Sequence, residues 1–314
     1  MNSILISIYR STMNMAAPLL LASLGGLITH HAGIINVSME GLMLAGAFAA
    51  VVFSFLTGSA FIGIAAAIAA AVLFSVFYSL FVTTLKTNNF AIGFALNIFV
   101  SSLTLYLSRI MFPGENAFNS PKISAIPKCS VNFGIKIIND LFSNFSLLIY
   151  FAFILVFVVS YIIYKTPFGL WLRAAGSQPE ALTKSGKKVS SVQYVASTMT
   201  GVLCGIAGAQ LSLSNVVMFS KDMTGGRGFI ALAIILISNG KPLTALLLSI
   251  FFGLFEGISI QLQSTNIPAQ FLFMLPYLMA IGTLIIMNVA KTKRDAMLSM
   301  NTLKTKKIRR RLSQ

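Results

Sequence analysis

The sequence predicts an all-α, polytopic membrane protein with about nine transmembrane helices. Of its 314 residues, 56% are hydrophobic and only 10% are charged, and long uncharged runs separate the charges. A soluble domain usually carries about 25% charged residues. Within a bilayer only helices and closed barrels satisfy the backbone hydrogen bonds, and continuous apolar runs favour helices.

The uncharged runs define the individual spans, since a helix needs roughly 20 apolar residues to cross the hydrocarbon core. Residues 41–85 would be roughly 68 Å long as a single helix, so this run must fold back, with Thr57-Gly58-Ser59 as the expected turn. The same reasoning predicts spans at about 11–29, 39–57, 60–84, 88–111, 146–164, 191–213, 226–240, 242–262 and 267–290. The seventh is short and bounded by glycines, which leaves open whether it crosses fully.

The distribution of Lys and Arg predicts the orientation, because cytoplasmic connections carry an excess of basic residues. With the C-terminus in the cytoplasm and the N-terminus outside, 16 of the 23 basic residues lie in inner segments, which are 30–38, 85–87, 165–190, 241 and 291–314. The chain then divides into a transmembrane permease domain, 1–290, and a basic cytoplasmic tail, 291–314. The long connections are an outer loop, 112–145, and an inner loop, 165–190.

The net charge of +16 does not indicate a nucleic-acid-binding protein, because nine of the basic residues lie in the tail that follows the last predicted span. Such a tail is typical of membrane topology, with the lipid bilayer as its partner. Adjacent His30 and His31 point about 100° apart on a helix, so they do not predict a metal site. The chain has no G-x-x-x-x-G-K-[ST] motif and only seven acids, so we expect neither catalysis nor a bound cofactor.

Polar residues within or at the ends of the spans are candidates for a solute pathway, since such groups usually face a bundle interior or a wet cavity. Glu40 and Glu256 are the two carboxylates in such positions; Glu256 lies in the middle of a span. Glu256 either faces a solute or joins two helices. Glu40 is expected near the inner surface at a helix N-terminus. The full candidate set is Asn36, Ser38, Glu40, Asn97, Gln210 and Glu256.

Glycine-rich segments predict two further features. Gly201, Gly205 and Ala209 repeat every four residues, which predicts close helix packing. Residues 224–243 place several glycines before a short apolar helix that Asn239-Gly240-Lys241-Pro242 ends. Such a helix could direct its N–H dipole at a solute, as in transporters, or it could be an ordinary short span.

The inner loop is expected to contain a short helix. Pro167 ends the preceding span, and "QPEALTKSG" has Pro179 at a helix start, Glu180 in the first turn and Gly186 as its stop. Nothing else in the residues assigns this loop a role.

Four stretches together resemble ATP-binding-cassette (ABC) importer permeases of the branched-chain amino acid/ribose superfamily, and most closely their nucleoside permease subunits. They are "AGIINVSMEGLMLAGAF", "RAAGSQPEALTKSGKKVSSVQYVASTMTGVLCGIAGA", "GGRGFIALAIILISNGKPLTALLLSIFFGLFEG" and "IPAQFLFMLPYLMAIGTLII". The resemblance implies a type II importer fold in a bacterial plasma membrane. It implies a second, related permease, ABC ATPase subunits that hold ATP and magnesium, and an extracytoplasmic solute-binding lipoprotein.

In this family the inner loop holds the helix that couples the permease to its ATPase. The resemblance transfers that role to Ala174, Ala175, Gly176, Pro179, Ala181 and Gly186. The chain departs from the family pattern at Thr183-Lys184, Lys187-Lys188 and His30-His31. The expected function is therefore inward passage of a nucleoside-like solute. The alternatives are a ribose-type sugar permease, an ion-coupled secondary transporter, and a channel or structural protein without energy coupling.

Overall fold

The computed structural model describes residues 3–112, 117–129 and 143–262, with isolated residues between 274 and 285. The helices are α1 (Ser3–His31), α2 (Met39–Thr57), α3 (Ala60–Ser79), α4 (Asn89–Met111), α5 (Leu147–Lys165), α6 (Pro167–Ser177), α7 (Pro179–Lys184), α8 (Val189–Ala209), α9 (Arg227–Ser238) and α10 (Pro242–Leu262). Leu80–Thr84 and Gln210–Asn215 continue α3 and α8 as π-helical turns. The all-α membrane fold is confirmed.

Two pairs of very short antiparallel strands tie the connections together. In the first pair, β1 (Ala117–Phe118) joins β4 (Phe219–Ser220); in the second, β2 (Lys128–Cys129) joins β3 (Phe145–Ser146). Ser124 also donates its hydroxyl to the Gly58 carbonyl at 2.6 Å. The described part of the outer loop, 117–129, therefore covers the end of the bundle at which α2 turns into α3.

Seven helices in the described residues are long and apolar enough to cross a membrane, and the 12-residue α9 is shorter. The predicted spans correspond to these helices within a few residues, except that α1 begins earlier, at Ser3. The predicted ninth span, 267–290, lies mostly outside the described residues, so the count of nine is not confirmed. The basic tail, 291–314, lies outside them entirely.

The helices form an interior and a periphery. Most of α1, α2 and α8 is buried, whereas α3, α4 and α5 are mainly exposed. The exposed side chains of these outer helices are mainly apolar: Leu73 and Ile98 are 68% exposed and Phe157 is 65% exposed. An apolar outer face is what lipid requires, since every exposed polar group in hydrocarbon would lose its hydration.

Small residues allow the interior helices to pack backbone against backbone, as the sequence predicted for Gly201 and Gly205. A Cβ at Gly205 would lie 2.7 Å from the Ala67 carbonyl oxygen of α3. One turn further, a Cβ at Gly208 would lie 2.2 Å from the Met43 carbonyl oxygen of α2. Since lipid offers no hydrophobic drive for helix association, this close contact is a main source of bundle stability.

We expect Gly208→Ala to destabilise the bundle, because the new methyl group overlaps the α2 backbone and α8 must move away. Overpacking of this kind costs about 1–3 kcal/mol. Thermal unfolding of the purified protein in detergent measures the change. Ala69→Val, which adds methyl groups to an exposed position of α3, is the control; equal melting temperatures for the two variants would contradict this packing role.

Candidate functional site

The non-helical segment before α2 enters the bundle and is held there by polar side chains. Asn36 Oδ1 accepts hydrogen bonds from the Ser38 backbone N–H at 3.0 Å and from the Ser38 hydroxyl at 2.6 Å. Asn97, on α4, accepts from the Gly41 N–H at 2.8 Å and donates to the Val37 carbonyl at 3.0 Å. Asn97 thus caps the N-terminus of α2, since Ser38 makes no side-chain cap there.

Glu40, in the first turn of α2, caps a different helix. Its Oε1 accepts from the Gly226 N–H at 2.7 Å, and its Oε2 accepts from the Gly228 N–H at 2.6 Å. The carboxylate therefore satisfies two of the orphan N–H groups at the start of α9 and neutralises the positive end of its dipole. The helix-terminal role predicted for Glu40 is thus found on α9, a helix distant in sequence.

Two glycines make this approach possible. Gly226 has φ 77°, a conformation that side chains disfavour. A Cβ at Gly228 would lie 2.4 Å from the Glu40 backbone nitrogen. The short helix predicted within residues 224–243 is α9. Among the described residues, the Glu40 carboxylate binds the N–H groups at its N-terminus, where the sequence pattern also allows a solute.

The position of this contact differs from the expected one near the inner surface. The far end of α9 lies beside His31, whose Nε2 is 2.8 Å from the Gly240 carbonyl oxygen. Since α9 has 12 residues, its first turn is about 18 Å away from that end. Glu40 therefore lies well inside the bundle, because residues 32–38 carry the chain inward before α2 begins.

Arg227 pairs with Glu256 next to this contact, joining α9 to α10. Arg227 Nε lies 2.8 Å from Glu256 Oε1, and the two side chains are 17% and 11% exposed. The Nε–H direction does not meet hydrogen-bond geometry, so the contact is an ion pair. The guanidinium Nη1 donates to the Met223 and Thr224 carbonyls at 3.1 and 3.2 Å.

Sequence reasoning missed Arg227 as a site residue and counted it only as a basic residue at a span end. A guanidinium placed between glycines at the start of a short apolar helix is a signal that could have identified it, because a charge within a bundle requires a partner. Its pairing with Glu256 supports the helix-joining role of that carboxylate. Both residues also line a cavity, as residues of a solute pathway would.

The cavity beside the ion pair has a volume of about 400 Å³. That volume is within the range of about 300–1,000 Å³ found for small-molecule sites. The described residues that line it are Met223, Gly225, Arg227, Ile230, Glu256, Ser259, Ile260 and Tyr277. The Tyr277 hydroxyl donates to the Gly225 carbonyl. Charged and hydroxyl groups thus converge on an otherwise apolar chamber, which we name the Arg227 cavity.

A second, more polar cavity of about 150 Å³ adjoins the first. Its described lining is Ser11, Asn14, Met15, Lys128, Asn144, Ser146, Ser214, Asn215 and Ile260. Ile260 belongs to both linings, so the two chambers are neighbours. Gln210 is fully buried behind the second cavity, where it accepts a hydrogen bond from the Ser146 hydroxyl at 2.9 Å.

The structure thus distributes the predicted pathway residues among different places. Glu256 lines the Arg227 cavity, and Gln210 supports the lining of the smaller one. Asn36, Ser38 and Asn97 hold the start of α2, and Glu40 connects that start to α9.

The inner loop presents a short helix on the surface at the opposite end of the bundle. Thr166 caps α6 by accepting from the Gly169 N–H at 3.2 Å, and α7 follows at the predicted position. Leu182, 3% exposed, anchors α7 to the bundle. Of the predicted coupling residues, Ala175 is buried and Ala174 half-buried, whereas the exposed ones are Gly176, Pro179, Ala181 and Gly186.

Gly176 links this loop to α1. A Cβ at Gly176 would lie 2.3 Å from the His31 carbonyl oxygen and 2.9 Å from the Gly33 nitrogen. The loop therefore rests directly on the backbone at the end of α1, and His31 contacts the end of α9 through Gly240. A displacement of the inner loop can therefore be transmitted through packed contacts to the ends of α1 and α9.

Comparison with known proteins agrees with this architecture. The solved structure of an ABC transporter provisionally assigned to the metal-chelate type, in an inward-facing conformation, aligns with a TM-score of 0.51 and 17% identity. The alignment covers 90% of this chain and 86% of that chain, and it shows a shared fold.

Several curated relatives match most of the chain. The guanosine ABC transporter permease protein NupQ of Bacillus subtilis is 29% identical over 291 residues, which are 88% of this chain and 91% of NupQ. The nucleoside ABC transporter permease protein NupC of Lactococcus lactis is 29% identical over 284 residues, covering 85% and 87% of the two chains. A protein of Haloferax volcanii provisionally named a glucose ABC transporter permease, TsgC13, is 29% identical over 258 residues, covering 82% and 78%.

A family model adds the decisive match, because it covers residues 8–287 and thus nearly all of the helices described above. Its description is branched-chain amino acid transport system, permease component. With this coverage, and with the helical bundle and surface loop that the structure shows, the chain is a multi-pass membrane protein that belongs to the branched-chain amino acid transport permease family, within the ABC transporter permeases.

Proposed function

We propose that the chain is the membrane-spanning subunit of an ABC importer that carries a nucleoside-like solute into the cytoplasm. The observation that carries this proposal is the pair of neighbouring cavities between helices and connections of the bundle, one lined by charged and hydroxyl groups and one lined mainly by amides and hydroxyls. A nucleoside offers both an aromatic base, with apolar faces and a hydrogen-bonding edge, and a hydroxyl-rich sugar, which these two linings complement. The named functions of NupQ and NupC support the same solute class.

The energy source in this proposal is a separate ATPase subunit, which holds ATP and magnesium and docks on α7. The exposed face of α7 and the contact of Gly176 with the end of α1 support it, because together they connect a surface to the bundle interior. A partner that binds two positions of the loop differently shifts the helices between two states. We place the loop and the C-terminus in the cytoplasm of a bacterial cell, and the N-terminus outside, from the excess of basic residues.

Two further partners complete the proposed importer. A second, related permease supplies the other half of the pathway, and an extracytoplasmic lipoprotein delivers the solute. The smaller, amide-lined cavity lies between the start of α5 and the end of α8, on the side of the bundle away from the coupling loop. That side is the one at which a delivering protein would dock in the proposed orientation.

Transport in proteoliposomes that contain all the subunits tests the proposal. We expect uptake of radiolabelled guanosine only when ATP is present at the ATPase side, and we expect it to cease when the ATPase is omitted. Uptake that an ion gradient drives without ATP would contradict the proposal and favour a secondary transporter.

A sugar permease is the second candidate, and the TsgC13 match and the hydroxyl-binding character of the smaller cavity favour it. Competition distinguishes the two. Excess unlabelled nucleoside is expected to abolish guanosine uptake, whereas glucose and ribose leave it unchanged. ATP-driven uptake of glucose or ribose with no uptake of nucleosides would show that the protein is a sugar permease.

A further inference from the structure

Two groups that ordinarily bind anions lie in the Arg227 cavity or directly beside it, and carboxylates of the chain occupy both. The first is the guanidinium of Arg227, a group that binds phosphate well. The second is the N-terminus of α9, where free N–H groups and the helix dipole favour a negative charge. Glu256 pairs with the guanidinium at 2.8 Å, and Glu40 takes the Gly226 and Gly228 N–H groups at 2.7 and 2.6 Å.

The donors that remain are few. Arg227 directs its Nη1 to two backbone carbonyls and its Nη2 to the Met15 sulfur at 3.7 Å. The Ser259 hydroxyl donates to the Phe255 carbonyl at 2.8 Å, and the Tyr277 hydroxyl donates to the Gly225 carbonyl. The two hydroxyl oxygens keep lone pairs, so both offer an acceptor to a solute. The Arg227 Nε–H completes no hydrogen bond and lies beside Glu256.

Glu256 adds the strongest of these acceptors. Its Oε2 is buried and has no hydrogen-bond partner among the described residues, and the whole residue is 9% exposed. A buried carboxylate oxygen without a partner is costly, so a hydroxyl or amino group that enters the cavity gains a charge-assisted hydrogen bond.

We infer that Glu256 makes the Arg227 cavity selective for uncharged, hydrogen-bond-donating solutes and excludes phosphorylated ones. The inference deepens the proposed function and rests on it. The cavity accepts a nucleoside and rejects the corresponding nucleotide, so the permease itself discriminates between them. In the low-dielectric interior a phosphate entering this chamber meets the Glu256 carboxylate in the lining, with the Glu40 carboxylate on the adjacent start of α9, and like charges there repel strongly.

Inhibition by inorganic phosphate tests the inference in the complete reconstituted complex. ATP-driven guanosine uptake is measured with phosphate on both sides of the vesicle, at constant ionic strength. Wild-type uptake is expected to be insensitive to phosphate. Glu256→Gln leaves the Arg227 guanidinium unpaired, so phosphate is expected to inhibit this variant competitively, with an inhibition constant at least roughly tenfold lower than for the wild type.

Asp222→Asn is the matched control. It removes a carboxylate that is exposed on the loop before α9, where it accepts a hydrogen bond from the Ser101 hydroxyl at 2.6 Å. Its uptake is expected to remain as insensitive to phosphate as that of the wild type. Equal phosphate sensitivity of Glu256→Gln and Asp222→Asn would overturn the inference.

The outcomes separate this inference from the proposed function. Active, ATP-dependent uptake that phosphate inhibits competitively in the wild type overturns the selectivity of the cavity but leaves the importer intact, and this measurement does not depend on the folding of any variant. Absence of ATP-dependent guanosine uptake in the wild type refutes the proposed function itself.

Discussion

Replacing Glu40 by alanine is expected to lower the stability of the whole bundle more than any other single carboxylate substitution in the described chain. The change removes both hydrogen bonds to the start of α9 and exposes two N–H groups and a helix dipole to an apolar interior. A hydrogen bond to a charged group contributes about 1.5–3 kcal/mol, so the expected loss in the free energy of unfolding is about 3 kcal/mol or more. Thermal unfolding in detergent and the yield of monodisperse protein measure it.

The geometry of the contact allows a graded test. Glu40→Gln keeps the length of the side chain but offers one acceptor oxygen for two donors, so an intermediate loss of stability is expected. Glu180→Gln is the control, because Glu180 is exposed on α7. A melting temperature for Glu40→Ala equal to that of Glu180→Gln would show that α9 does not depend on this carboxylate.

Replacing Ala181 by leucine is expected to abolish most solute uptake while ATP hydrolysis continues. Ala181 is exposed on α7, so the larger side chain leaves the fold of this chain undisturbed. Its effect must then arise at a surface that another protein contacts. Uptake and ATP hydrolysis are measured on the same proteoliposomes, and a fall in the ratio of solute transported to ATP hydrolysed is the expected signature.

The matched control is Ala95→Leu, the same substitution at an exposed position of α4 that faces lipid. It is expected to retain the wild-type ratio. Gly176→Leu is expected to uncouple transport as well, but for another reason, since its side chain would collide with the backbone at the end of α1. Full coupling in Ala181→Leu would remove the assignment of α7 as the docking helix.

The sequence predicts the helices well because lipid imposes a simple rule. Long uncharged runs, the turn at Gly58 and the break at Pro167 all appear where expected, since hydropathy and backbone conformation are local properties. The short helix in the inner loop is also local, and its proline start and glycine stop are visible in nine residues. The repeat of Gly201 and Gly205 correctly predicts close packing, although not the helix that it contacts.

The candidate site was predicted only in part, because its contacts join residues far apart in sequence. Glu40 could be recognised as a helix-terminal carboxylate, but nothing near it in the chain indicates that the helix is α9. Arg227 was missed because counting charges for topology treats a basic residue at a span end as belonging to solvent. The partnership of Asn97 with the start of α2 has no local signature at all.

The caps of α2 and α9 also constrain the order of biogenesis. Glu40 meets its partner at Gly226, 186 residues later, so a ribosome has synthesised α2 long before α9 exists. Until then the nascent chain holds a carboxylate without its two N–H partners. Since α9 alone is too short to cross the bilayer, it must leave the translocon into a groove that the earlier helices have already formed. Assembly of this bundle therefore includes the insertion of α9 between helices that were made before it, and chains truncated before Gly226 are expected to be substrates for membrane proteases.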